Sequence, residues 1–212
     1  MNWKKASHYS RYIKPAFDRV AALLLLVILS PVLLLGIVLS AIASRGQPFF
    51  IHERPGLREI PFRLLKLRTM RGPIDADGKR LSNIERITPL GHFLRKTSVD
   101  EIPQLFNVLA GHISLVGPRP LETWYLPHYS DNQRLRHSVL PGITGLAQVS
   151  GRNSISWERK FELDIEYVDK QSLWLDLKIL FMTAFKIFNS SDVNAGATST
   201  MDSFAPRPQA LV

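Results

Sequence analysis

The strongest pattern in the sequence is an apolar run near its beginning. From Val20 to Ala43 there are 24 consecutive residues without a charged side chain. A straight helix of that length would measure about 36 Å, which exceeds the hydrocarbon thickness of a typical bilayer. The pattern therefore predicts a helix that contacts a membrane.

Three arrangements fit this run: a cleaved signal peptide, a single membrane span, or a re-entrant hairpin within one leaflet. The segment is long for a signal peptide, although Ala41-Ile42-Ala43 resembles a cleavage site. Basic residues, which prefer the cytoplasmic side, number five before the run and seven just after it. Ser30 and Pro31 lie at its midpoint, where proline interrupts helical hydrogen bonding. We favour a re-entrant helix that breaks there, with a kinked span as the alternative.

Shorter patterns predict a mixed domain after the apolar run. The stretch Ile60 to Thr69 is extended in character, and strand alternation would place Lys66 and Arg68 on one face. Further on, Ile102, Leu105, Phe106 and Leu109 have helical spacing. Because Pro103 is tolerated only in a first turn, the helix is predicted to begin near residue 100.

The second half of the chain continues this mixture. Residues 113–116 predict a buried strand, and the following Gly117-Pro118-Arg119-Pro120 holds an arginine between two prolines. Segments 141–145 and 151–153 predict tight turns. A helical pattern from Ser156 to Asn189 divides near residues 170–173, and its second part fits either an interfacial helix or a core helix.

These patterns predict an α+β fold: a re-entrant membrane helix hairpin and a compact, mainly helical domain with a small sheet. We divide the chain into a basic segment with the membrane helix (1–44), a cytoplasmic catalytic domain with interfacial helices (45–189) and a loosely ordered tail (190–212).

Charge adds an expectation about partners. The chain has 27 Lys and Arg against 18 Asp and Glu, a net charge of +9, and no cysteine. Nucleic acid, anionic lipid headgroups and phosphate-bearing substrates all suit such a balance. The absence of cysteine excludes disulfides, thiol catalysis and Cys-ligated zinc, and fits a cytoplasmic catalytic face.

Candidate chemistry centres on the adjacent carboxylates Asp100 and Glu101. A helix N-terminus favours bound phosphate, and five basic side chains are candidate phosphate ligands: Lys66, Arg68, Arg95, Arg119 and Arg152. Two carboxylates with phosphate oxygens also suit Mg²⁺. An aspartate can attack phosphorus itself. The sequence lacks a P-loop and a G-x-S-x-G elbow, so phosphoryl transfer is the favoured chemistry.

Several motifs in order resemble those of the bacterial sugar transferase family. They are Ser30-Pro31 in the apolar segment, Lys66 to Met70, Arg95 through Asp100-Glu101 to Asn107, S-L-V-G-P-R-P from Ser114 and P-G-I-T-G-L-A-Q-V-S-G-R-N from Pro141. The likeness runs from about Phe17 to Phe188 and is closest to the small monotopic phosphoglycosyl transferases. Leu140 and Leu146 depart from residues common in relatives.

The resemblance implies transfer of a sugar 1-phosphate from a UDP-sugar to undecaprenyl phosphate, with release of UMP, at the cytoplasmic face of the bacterial inner membrane. It implies that Asp100 is the nucleophile of a ping-pong reaction and that Glu101 assists deprotonation or Mg²⁺ placement. Arg95 would support this pair, and Arg119 would bind phosphate. The expected sugar is an N-acetylated amino sugar.

Other interpretations remain open from the sequence. The same transfer could occur in one step without a covalent intermediate, or the chain could be a non-catalytic, membrane-tethered basic binding module. We expect membrane lipids and no nucleic acid among its partners, and leave homo-oligomerisation open.

Overall fold

A long N-terminal helix dominates the computed structural model, which describes residues 3–74, 78, 80–151, 154–188 and 204–205. One π-helical turn, Tyr9–Ile13, leads directly into helix α1, Lys14–Ala43. Together they form, within those ranges, the one helix that is long and apolar enough to cross a membrane. Its length and composition agree with the predicted membrane contact.

Helix α1 continues through Pro31, so the structure does not confirm the predicted hairpin with its break at Ser30 and Pro31. Proline has no N–H to donate to the carbonyl four residues earlier, which belongs to Val27. The Ser30 hydroxyl donates to that carbonyl at 2.8 Å. This bond satisfies the freed carbonyl, and the helix can therefore continue.

The first sheet is an antiparallel pair. Strand β1, Phe49–Pro55, pairs with strand β2, Pro61–Leu67, and Phe50 lies opposite Lys66. A 3₁₀ turn, Leu57–Glu59, lies between them. The strand predicted at residues 60–69 is confirmed as β2, whereas its partner β1 was not predicted.

Short helices flank the turn that carries the carboxylate pair. Helices α2, Asn83–Arg86, and α3, Pro89–Lys96, are followed by a 3₁₀ turn, Val99–Glu101, and by helix α4, Gln104–Leu109. The prediction of a helix beginning near residue 100 was therefore wrong. Ser98 has a φ of 57°, and Glu101 and Ile102 donate backbone hydrogen bonds three residues back, so the carboxylates occupy a turn of their own.

The second half contributes a parallel pair and the last helices. Strands β3, Ser114–Val116, and β4, Gly142–Thr144, pair in parallel. The helices are α5, Asp131–Arg134, α6, Leu146–Ser150, α7, Trp157–Lys170, and α8, Leu173–Phe188. The last two match the predicted helical pattern and its division. The predicted mixture of helices and small sheets is confirmed.

Both ends of α1 pack on the same body. Near its start, Lys14 forms a buried ion pair with Asp176 of α8, and Asp18 accepts a hydrogen bond from Ser114 of β3 at 2.7 Å. Near its end, the buried Ser40 hydroxyl donates to the carbonyl of Arg68 at 2.8 Å. The core between these points is apolar and includes residues from α1, β2, α4 and β3. The apolar helix is thus fastened to the domain at two separated places.

An aromatic cluster forms a second core. Tyr125, Tyr129, Trp157 and Phe161 pack around Phe204, whose ring centroid lies 5.0 Å from that of Phe161. Phe204 and its neighbour Ala205 belong to the segment 190–212, for which a loosely ordered tail stays a prediction. The rest of residues 190–212 lies outside the described residues.

Candidate active site

The carboxylate pair lies on the 3₁₀ turn between α3 and α4. Asp100 is buried, with 7% of its surface exposed, and Glu101 is half-buried. Val99 beside them contacts α1: a Cβ added to Gly36 would lie 3.3 Å from a Val99 methyl and 2.9 Å from Leu67. Helix α1, strand β2 and the carboxylate turn therefore meet at close distance.

Glu101 is clamped by two cations. Lys66 Nζ donates to Glu101 Oε1 at 2.7 Å, and Arg119 Nη2 donates to the same oxygen at 3.1 Å. Burial raises the pKa of Glu101, but the positive charges of Arg119 and Lys66 outweigh that effect and lower the pKa to about 2. Glu101 is therefore an anion throughout the physiological pH range, and a weak base.

Asp100 has the opposite shift. Burial, and then the negative charge of Glu101, raise the pKa of Asp100 to about 6, while Lys66, Arg95 and Arg119 act against that rise. Its carboxylate accepts no hydrogen bond from the residues that the structure describes. A carboxylate with a raised pKa that is still ionised at neutral pH is more basic, and hence a better nucleophile, than an ordinary aspartate.

Two of the predicted basic residues reach Glu101 because of their neighbours. Asn107 of α4 accepts from the Leu65 amide at 3.0 Å and donates to the Arg63 carbonyl at 2.7 Å, which holds β2 against α4. Lys66 is placed beside Glu101 by this clamp.

The other basic residue, Arg119, follows β3. Its carbonyl accepts from Arg136 at 2.8 Å, and Arg136 is fixed by a buried ion pair with Asp164 at 2.7 Å.

The sequence did not indicate the roles of these supporting residues. Asn107 was included in a motif without being given a role, and Arg136 was not predicted at all. The pairing of Arg136 with Asp164 joins residues that are distant in sequence, so it gives no local signal.

Arg95 supports the pair from α3. Its Nε donates to Thr69 Oγ1 at 2.9 Å. Burial lowers the pKa of Arg95, and the negative charges of Asp100 and Glu101 oppose that shift. Arg95 therefore acts on the pair through its charge.

Arg68 lies apart from the carboxylates, so the prediction that it shares a site with Lys66 was wrong. Strand β2 ends at Leu67. The side chain of Arg68, the next residue, donates to the carbonyls of Gln47 at 3.0 Å and Phe49 at 3.2 Å. Arg152, the last predicted phosphate ligand, lies outside the described residues.

Glu101 lines a cleft of about 260 Å³. Its lining includes the charged side chains Lys66, Glu101 and Arg119 and the aromatic side chains Tyr125 and Trp157. The remaining lining residues are Arg54, Leu64, Gln104, Pro120, Leu121, Glu122 and Gly142. A ligand with an anionic group and a ring fits such a lining.

The donor set suits Mg²⁺ only together with a phosphate-bearing ligand. In the described part of the chain, no group of three or more His, Asp and Glu side chains forms a metal cluster. Asp100 and Glu101 supply two adjacent carboxylates, and one oxygen of Glu101 already accepts from two cations. Mg²⁺ commonly takes one or two carboxylates and completes its shell with phosphate oxygens and water.

Fold and site define a protein with a long apolar helix and a carboxylate pair on a 3₁₀ turn, of which Glu101 lines a cleft together with Lys66 and Arg119, an arrangement suited to phosphate chemistry. The sequence profile of the family described as bacterial sugar transferase matches residues 9–190. The chain belongs to that family. The predicted family is thereby confirmed, and with it the enzyme class, a sugar-phosphate transferase.

Individual relatives agree. The uncharacterized sugar transferase EpsL of Bacillus subtilis (strain 168) is 47% identical over 91% of this chain and 95% of its own length. The UDP-glucose:undecaprenyl-phosphate glucose-1-phosphate transferase of Escherichia coli (strain K12) is 38% identical over 86% of this chain. The undecaprenyl-phosphate galactose phosphotransferase of Salmonella typhimurium is 39% identical over 84%. The chain spans 41% of the length of each of the last two relatives.

Proposed function

We propose that this protein transfers a sugar 1-phosphate from a UDP-sugar to undecaprenyl phosphate and releases UMP. The observation that carries the proposal is the geometry of the carboxylate pair: Lys66 and Arg119 donate to Glu101 at 2.7 and 3.1 Å, whereas Asp100 beside it accepts no hydrogen bond from the described residues and has a raised pKa. The names of the Escherichia coli and Salmonella relatives support the donor and the acceptor.

Two displacements at one phosphorus account for the reaction. An oxygen of Asp100 forms a bond to the phosphorus that carries the sugar, and the bond from that phosphorus to UMP breaks. A phosphate oxygen of the acceptor lipid then bonds to the same phosphorus as the bond to Asp100 breaks. Each step forms one P–O bond and breaks one, and Asp100 ends as the free carboxylate.

The surrounding residues divide the remaining work. Lys66 and Arg119 lie where diphosphate oxygens would enter, and their charges stabilise the transferred group and the leaving phosphate. We assign Glu101 the placement of these cations and of Mg²⁺, not proton abstraction, because its low pKa makes it a weak base. Asp100 and Glu101 would hold Mg²⁺, which would supply positive charge that offsets the charge of the phosphates.

Membrane association brings the two substrates together. Helix α1 exposes apolar side chains along most of its length, and α8 exposes Trp174, Phe181 and Phe185, each at least 60% accessible. Lys14 and Ser40, near opposite ends of α1, are fastened to the same domain. These features support a helix and domain held on one side of a bilayer, which we propose is the cytoplasmic face of the inner membrane.

The experiment measures the intact mass of the enzyme with UDP-sugar in the absence of any lipid acceptor. We expect a mass increase of one phosphosugar, mapped to Asp100, and none in Asp100→Asn. Asp131→Asn, which changes an exposed acid of α5, is the matched control and should form the adduct. UMP release that requires the acceptor, without any adduct, would establish the one-step alternative instead.

The sugar stays a prediction. The names of the relatives specify glucose and galactose, whereas the sequence leads us to expect an N-acetylated amino sugar. UMP release measured across UDP-glucose, UDP-galactose and N-acetylated UDP-sugars distinguishes these donors.

A further inference from the structure

A second cleft, of about 180 Å³, lies at the end of the apolar helix. Three arginines line it: Arg45 just after α1, and Arg68 and Arg71 just after β2. The other lining residues are Ala43, Ser44, Thr69, Met70, Gly72 and Thr88. It shares no lining residue with the cleft at Glu101.

Among the residues that the structure describes, no carboxylate forms an ion pair with the three guanidinium groups of this cleft. None of the ion pairs among the described residues includes Arg45, Arg68 or Arg71. Arg68 is held by two backbone carbonyls, and Arg71 donates twice to the carbonyl of Glu85, at 2.9 and 3.2 Å. Carbonyl bonds fix the direction of a guanidinium but leave its full charge and its other N–H groups for a ligand.

The end of α1 sets the position of Arg45. The Gly46 amide donates to the Ala41 carbonyl at 2.8 Å, and Arg45 and Gly46 have φ values of 54° and 92°. Ser40 joins the same end of the helix to the carbonyl of Arg68. The cleft is therefore built on a fixed junction between α1 and the residues that follow β2.

Apolar surface leads directly to this cleft. Val38 and Ile42 in the last turns of α1 are 55% and 74% exposed. Ala43, the next residue, already lines the cleft. A molecule with a hydrocarbon chain along α1 would therefore bring an attached phosphate to the arginines, which a soluble phosphate ester would not match as well.

We propose that this cleft binds the phosphate group of a membrane lipid. Arginine presents N–H groups in a geometry that matches phosphate oxygens, and three positive charges suit a phosphate monoester or diester. Thr69 at the cleft also accepts from Arg95, whose charge acts on Asp100. A phosphate bound in this cleft would therefore adjoin Thr69, which is hydrogen-bonded to Arg95, the residue whose charge acts on the carboxylate pair.

Native mass spectrometry of the purified full-length protein in detergent tests the proposal without any transfer reaction. The probes are dioleoyl phosphatidylglycerol, a polyprenyl phosphate and phosphate-free dioleoylglycerol. The test variant is Arg45→Gln with Arg71→Gln, and Arg45→Lys with Arg71→Lys keeps both charges. Arg159→Gln removes an exposed positive charge on α7 and serves as the matched control.

We expect the Gln variant to bind a phosphate-bearing lipid at least about tenfold more weakly, as the loss of charge-assisted hydrogen bonds predicts, and to bind dioleoylglycerol unchanged. The Lys variant should retain most of the affinity. Loss restricted to the polyprenyl phosphate identifies the acceptor as the ligand, and loss for phosphatidylglycerol identifies bulk membrane lipid. Unchanged affinity for both lipids, or an equal loss in Arg159→Gln, overturns the proposal.

This inference rests on the proposed membrane association but not on the proposed transfer. Lipid binding is measured without UDP-sugar, whereas the transfer is tested by the adduct at Asp100. Either result can fail while the other holds.

Discussion

At the scale of single residues, the two adjacent carboxylates differ because only one of them is paired. The charges of Lys66 and Arg119 act on both carboxylates, yet both side chains donate hydrogen bonds to Glu101 and not to Asp100. Burial and the neighbouring anion therefore act on Asp100 with less compensation. A nucleophile that must be ionised benefits from this split, because the raised pKa increases its basicity without protonating it at neutral pH.

A pH dependence follows from the pKa of about 6 for Asp100. Its nucleophilic, ionised form is lost as the pH falls through that value, so the rate of adduct formation should decline on the acid side of about pH 6. Lys66→Met removes a charge that lowers this pKa, and the decline should then begin at higher pH. Rapid-quench measurement of UMP release from pH 5 to 8 gives both profiles. Lys170→Met, which breaks an exposed pair with Glu166, should leave the profile in place; a matching shift there would contradict the assignment.

The sequence identified most of the residues that meet at the site, but not how they are held. Asp100 and Glu101 are adjacent, and Lys66 and Arg119 belong to motifs that the family resemblance brought together. The Asn107 clamp and the Arg136–Asp164 pair depend on tertiary contacts between residues at least 28 positions apart. Arg68 was misplaced because it lies one residue beyond the end of β2, and its side chain donates to the backbone carbonyls of Gln47 and Phe49.

At the scale of elements, long periodic segments could be predicted and short ones could not. Helices α7 and α8 have enough turns for their spacing to be read. Strand β1 begins Phe-Phe-Ile, three apolar residues that are all exposed, so it gives no alternation. Strand β4 has only three residues, and the sequence showed a turn there. The carboxylate turn was read as a helix start because the left-handed Ser98 has no signal in the sequence.

The contact between α1 and the carboxylate turn predicts a role for Gly36. A side chain there would press on Leu67 and Val99, at 2.9 and 3.3 Å from its first carbon. Gly36→Val should destabilise the protein by about 1–3 kcal/mol through overpacking, and should slow adduct formation because Val99 adjoins Asp100. Thermal unfolding in detergent and adduct kinetics measure the two effects. Val38→Leu adds bulk on an exposed position of the same helix and should change neither; equal effects from both variants would exclude the contact as the cause.

At the scale of the whole molecule, the apolar helix and the domain form one body. A helix that simply crosses a bilayer separates the segments at its two ends by the hydrocarbon thickness. Here Lys4, before α1, forms an ion pair with Asp169 of α7, and Ser40, near the other end of α1, is bonded to Arg68. Because the residues before α1 and the domain after it are in contact, we propose that both lie on the same side of the membrane. The basic residues on both flanks favour the cytoplasmic side, which stays a prediction.

This topology predicts the labelling of single cysteines, which the natural sequence makes simple because it contains none. Ala6→Cys lies before α1, and Asn132→Cys lies in α5; both positions are exposed. An impermeant maleimide applied to intact spheroplasts should label neither cysteine, and lysis should expose both. A periplasmic cysteine in a coexpressed protein verifies that the reagent reaches the outer face. Labelling of Ala6→Cys alone before lysis would show that α1 crosses the bilayer. The contact between Lys4 and Asp169 could not then form in the membrane, since its two partners would lie on opposite faces.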